Sequence, residues 1–153
     1  MVAPHRTILV LGLLSALVGL SGFTAGRAVS ADHPREGEAI NRHILMLKSG
    51  KPQQKAAAAW WLGQQRTAAA SAVEHLVGLL GDASEVDPAL YRSNPALNKP
   101  TLGEEAAAAL VNIGHPSIEP LIHVLKTSPV AEARKNAAWA LGALHDTGAT
   151  TKI

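Results

Sequence analysis

Apolar residues recur at the i, i+3, i+4, i+7 spacing in two stretches, Val73, Leu76, Val77, Leu80 and Ile118, Leu121, Ile122, Leu125. That spacing puts one stripe on one face of an α-helix. The two stretches align without gaps, and Ile40–Leu47 aligns with the later one in the same register. Between them lies a second, alanine-rich type. Lys55–Gly63 (KAAAAWWLG) and Arg134–Gly142 (RKNAAWALG) pair Trp60 with Trp139 and Leu62-Gly63 with Leu141-Gly142, and Glu105–Gly114 carries the same alanine core with Val111 in place of the glycine. The pattern predicts three alternating pairs of helices, each stripe needing a neighbour to cover it.

Local signals place the boundaries. Thr101-Leu-Gly-Glu104 reads as a capping box, Pro52 as a first-turn proline, and Ser128-Pro129 as an N-cap followed by one. Gly50, Gly81 and Gly114 stand where helices should end. The alanine runs allow close backbone approach, and Gly63 and Gly142 are expected to lack a Cβ where the next helix crosses. Composition agrees: 47% of residues are hydrophobic and only 3% aromatic, which suits small close-packed helices and argues against a β-sandwich.

The N-terminus is different in kind. No charge occurs from Thr7 to Gly26, Arg6 precedes the stretch, and Val29-Ser30-Ala31 supplies a small-residue ending. This is the layout of an export signal, residues 1–31, cut after Ala31. The alternative is a membrane anchor, since about 20 residues at ~1.5 Å each can span the hydrocarbon core, and Gly22 and Gly26 form a GxxxG. Either way residues 32–153 are expected outside the cytoplasm, periplasmic or secreted, or tethered to the membrane. Losing Arg6 and Arg27 lowers Lys and Arg from 14 to 12 against 12 acidic residues. A neutral domain is a poor match for polyanions, so nucleic acid is not an expected partner. The absence of cysteine excludes disulfides, thiolate zinc sites and a cysteine nucleophile.

The segments AAAAWWLG, AAAALVNIG and NAAWALGALHD, set beside the IEPLIHVL-type helix, resemble the short HEAT repeats of the phycobilisome-lyase type. The resemblance covers about Glu36 to Asp146. It implies an all-α fold, a right-handed α-α superhelix (HEAT-like solenoid) of about three helix pairs, used mostly as a scaffold for other macromolecules. Two features depart from that pattern. The link Asp82–Pro100 is much longer than the others, holds three prolines and the lone Tyr91, and is expected to be a loop with a short turn around Pro88–Arg92. It is either a tolerated excursion or a binding loop through Tyr91 and Arg92. The array also opens on a helix without its partner and closes on another, which should leave apolar surface for a partner protein or for self-association through the open ends. Trp61 is expected to fill the space left by the missing first helix.

In a solenoid of this type the helices of the first kind line the concave face. Their non-core rows hold Asn41, Glu74 and Glu119, then Arg42, His75 and Pro120, then Leu45, Gly78 and His123. Asn41, Arg42, Glu74, His75, Glu119 and His123 are therefore the candidate contact residues, joined by Tyr91 and Arg92 of the loop. Glu119 and His123 fall at i, i+4 on one helix, but residues one repeat apart are expected about 10 Å apart between axes, beyond direct sharing of an ion, so the expectation is a solvated polar face with no metal and no cofactor. Chemistry finds little support. No His-Glu dipeptide occurs, as a diiron hydroxylase built from such repeats would need, and no serine lies in a GxSxG context. The reading is a non-catalytic, exported protein-interaction scaffold. The alternatives are a phycobilin-lyase-like enzyme or enzyme accessory subunit, and a membrane-tethered structural module.

Overall fold

The computed structural model describes residues 33–93 and 98–146. The apolar segment 7–26 and the residues after 146 lie outside the described part, and among the described residues no helix is long and apolar enough to cross a membrane. Six α-helices follow in order: α1 His33–Ser49, α2 Pro52–Gln64, α3 Val73–Val77, α4 Leu102–Ile113, α5 Ile118–Thr127 and α6 Ala131–Asp146. Short 3-10 turns at Arg66–Ala72, Pro88–Leu90 and His115–Ser117 join them. No strand occurs among the described residues.

The two helix types sort into two layers. The alanine-rich helices pack in sequence, α2 against α4 and α4 against α6, while α1, α3 and α5 form the second layer and pack in the same order. Most of the stripe predicted from spacing is buried, Ile40, Val73 and Ile118, in one register, being 7%, 4% and 3% exposed, but Leu125, expected in the stripe of α5, is 39% exposed and Val124 beside it is buried in its place. Leu62, Leu76, Leu80, Leu110 and Leu121 between the layers are fully buried, each stabilising the fold by about 1.5–3 kcal/mol.

The glycines of the alanine-rich helices divide. A Cβ on Gly63 would stand 3.0 Å from Ala109 Cα, so its absence sets how closely α2 and α4 approach. Gly142, in the same register, has nothing within 4 Å among the described residues, so the expected crossing is not made by any of them. The capping box at α4 forms as read, with Glu104 N donating to Thr101 Oγ1 at 3.2 Å and Thr101 N donating to Glu104 Oε2 at 2.9 Å. Pro52 is at the first turn of α2. α6, by contrast, begins at Ala131 rather than at Pro129, and Ser128 Oγ accepts only from Val130 N, at 3.3 Å. Gly114 ends α4 at φ +88°, ψ −137°, a conformation nearly reserved to glycine.

The long link is folded. Its two ends pair antiparallel at Glu85 and Thr101, through Val86 N to Pro100 O at 3.0 Å and Leu102 N to Ser84 O at 2.8 Å. Asp82 O accepts from Gly103 N at 2.9 Å, so carbonyls of the link satisfy two of the N–H groups that the start of α4 leaves free. The Asp82 carboxyl is bonded to Ser84 and is thereby held below the usual carboxylate range, against the opposing effect of burial. Val86 packs with Ala56 and Leu102 as a small second apolar cluster, and the expected short turn forms at Pro88–Leu90.

Candidate functional site

The rows read from register keep their order in three dimensions. Asn41, Glu74 and Glu119 are exposed in all three helices of the α1, α3, α5 layer, as are Leu45, Gly78 and His123. Arg42 is exposed, while His75 and Pro120 beside it are half-buried. The layer therefore exposes the first and third rows at each repeat, and its exposed large apolar side chains are Leu45 at 61%, neighbouring Met46 at 42% and Leu125 at 39%. Among the described residues no group of three His, Asp or Glu is placed to hold one metal ion. Six of the eight candidates thus sit on one layer.

Tyr91 and Arg92 sit elsewhere. They close the seam between α2 and α4 on the opposite layer and are turned inward. Gln53 holds the loop there by two bonds, Nε2 to Asp87 O at 2.8 Å and Asp87 N to Oε1 at 2.8 Å. Asp87 Oδ1 caps the turn by accepting from Ala89 N at 3.0 Å. The Tyr91 ring lies 6.3 Å from Trp60, tilted by 50°, and Arg92 Nη2 donates to Glu105 Oε2 on α4. Glu105 is 3% exposed and Arg92 27%. Burial pushes the Glu105 carboxyl above its ordinary range although Arg92 pulls the other way. Burial, and then the Glu105 charge, push the Tyr91 phenol up as well. A half-buried tyrosine and an arginine committed to a buried carboxylate hold the loop to the helices, so the loop is an anchored strap on the α2–α4 seam rather than a free arm.

Glu105, Gln53 and Asn136 are the residues that the reading of the sequence did not single out. Asn136 occupies on α6 the register of Glu105 on α4, and its Nδ2 donates to Leu80 O at 2.8 Å in the interior. One signal was available: within the alanine tracts this single inner register holds a glutamate and an asparagine where α2 holds Ala57. A polar group at a packed position needs a partner. Gln53 carries no such signal, because it stands in an ordinary polar first turn.

The three tryptophans have different surroundings. Trp61 is half-buried and stacked on His43 of α1, with ring centroids 3.9 Å apart and planes at 7°. Trp60 is half-buried beside Tyr91, whereas Trp139, its register mate, is 56% exposed. Trp139 borders a cleft of about 440 Å³ with Glu104, Lys135 and Asn136. Glu132 bonds the Lys135 ammonium and raises its pKa.

No curated protein and no solved structure matches this chain. The match that is found falls on one helix pair: residues 104–127, from the first turn of α4 to the end of α5, carry a PBS lyase HEAT-like repeat.

Proposed function

We propose that the chain is an exported, non-catalytic helical-repeat scaffold of the HEAT-like solenoid kind, and that it holds a partner protein against the α1, α3, α5 layer. The observation that carries this reading is the repetition of exposure: Asn41, Glu74 and Glu119 stand outward at one register of three successive helices. Repeats of one geometry place their non-core side chains in ladders, and a ladder offers a partner an extended surface. Leu45 and Met46 beside the row add apolar area of the sort that interface centres use.

Site-specific photo-crosslinking in the native cell tests the surface. A crosslinker at 41, 74 or 119 is expected to capture one and the same partner, and one at exposed Gln64 on α2 of the other layer is not. Equal capture from both layers, or none from the row, removes the reading. Export is tested separately by the mass of the protein recovered from its native cell: a chain beginning at Asp32 is expected outside the cytoplasm, and an intact cytoplasmic chain contradicts it. Self-association is a second reading, favoured by exposed Leu45 and Met46 on the first helix. Light scattering that reports a monomer across the micromolar to millimolar range sets it aside.

A further inference from the structure

The strap formed by residues 87–92 shows what the seam between two neighbouring alanine-rich helices accepts. On the α2–α4 seam an aromatic ring, Tyr91, lies near Trp60, and the next residue, Arg92, reaches the acidic side chain of α4. Its guanidinium is also within 5.8 Å of the Tyr91 ring.

The α4–α6 seam has no strap and carries the same two side-chain types on exchanged helices, the carboxylate of Glu104 on α4 and the ring of Trp139 on α6. Only Ser128, Pro129 and Val130 join α5 to α6, too few to fold back over the helices. The cleft between Glu104, Lys135, Asn136 and Trp139 is the result. Asn136 on its lining stands in the register of Glu105, and Trp139 in that of Trp60. Trp139 leaves more than half its surface to water, an unfavourable position for the largest apolar side chain unless something covers it. The charges also lean one way: Lys135 is already bonded to Glu132. Glu104 spends one oxygen on Thr101, which leaves its second oxygen to accept from a donor.

We propose that the α4–α6 cleft binds a segment of a partner protein bearing an aromatic residue next to an arginine, the ring against Trp139 and the guanidinium on Glu104. The segment stands in for a second strap. An arginine placed there also meets the face of Trp139, an arrangement that favours it over lysine. The chain's own Tyr91 and Arg92 are engaged at the first seam, so a second copy has no free segment of this composition to offer at 87–92. This site lies on the layer opposite the polar rows and does not depend on them.

The test is a titration of the isotope-labelled full chain with the capped hexapeptide Asp-Pro-Ala-Leu-Tyr-Arg, the sequence of residues 87–92, to about 5 mM. Saturable shifts are expected at the Trp139 indole N–H and at the amides of Lys135 and Asn136. Glu104→Gln is expected to weaken binding about tenfold and Trp139→Ala to abolish it. Both residues are exposed, and an unchanged circular dichroism spectrum checks that each variant folds. The proposal is overturned by any of four results. These are no saturable shift, equal binding of a peptide with Tyr→Ala and Arg→Glu, shifts confined to Trp60 and residues 85–93 from displacement of the strap, and Trp139 shifts that follow protein concentration without peptide, which would mark self-association.

Discussion

Gln53 and Asp87, 34 positions apart, exchange two hydrogen bonds of 2.8 Å each between a side-chain amide and the backbone. The Gln53 amide behaves like an extra peptide group and fixes the middle of the inserted strap to the first turn of α2. Truncation to alanine leaves the Asp87 N–H and C=O to find water. Gln53→Ala is expected to lower stability by about 1–2 kcal/mol in urea unfolding, and to raise proteolytic cleavage within residues 82–93 before the helices open. A variant with wild-type protection there would show that the strap is held by its ends alone.

The pair Arg92 and Glu105 gives a pH signature. Burial raises the folded-state pKa of Glu105 above the unfolded value, so the folded state binds the proton more tightly. Its contribution to stability is therefore fullest below the ordinary glutamate range and declines as pH rises through the folded pKa. Arg92→Ala removes the charge that limits this rise. The variant is expected to lose about 1–3 kcal/mol at pH 7, with most of the loss disappearing near pH 4. Adding Glu105→Gln is expected to recover much of the loss at pH 7 and to flatten the pH dependence. Parallel wild-type and Arg92→Ala stability profiles between pH 4 and 7 would show that the pair carries no such coupling.

Gly63 and Gly142 share a register and should respond oppositely to the same change. Gly63→Ala drives a methyl group against the Ala109 backbone, 3.0 Å away, and is expected to destabilise by about 1–3 kcal/mol. Gly142→Ala meets open space in a helix interior and is expected to stabilise by about 0.5–1 kcal/mol. Thermal unfolding of the two variants side by side decides it; destabilisation by both would mean that α6 has a neighbour at Gly142.

Ser117 is fully buried, and its hydroxyl finds no partner among the described residues. The equivalent position one repeat earlier is Ala72, also fully buried. Ser117→Ala is expected to stabilise by about 1 kcal/mol through loss of an unsatisfied polar group. A loss of stability would reveal a bound water at the hydroxyl.

Helix type, order and burial were legible along the chain because the spacing of apolar residues has the period of the helix itself. Ile118 and Leu121 of the expected stripe are buried and the register of Ile40, Val73 and Ile118 carried that from one repeat to the next, although at the end of α5 Val124 is buried and the expected Leu125 is not. The capping box at Thr101 and Glu104 was legible for a similar reason, since its two partners lie within one turn.

What the tertiary structure decided concerns residues whose partners lie far along the chain. Local chemistry gives Tyr91 and Arg92 the marks of a binding loop, and only the α2–α4 seam turns them inward, onto Trp60 and Glu105. Equal sequence did not mean equal surroundings either. Trp60 and Trp139, or Gly63 and Gly142, differ because α2 lies against α4 and under Tyr91 of the strap, whereas among the described residues nothing covers the corresponding positions of α6. Periodicity is a property of one segment and can be read from it, but coverage depends on which segments return to lie against it.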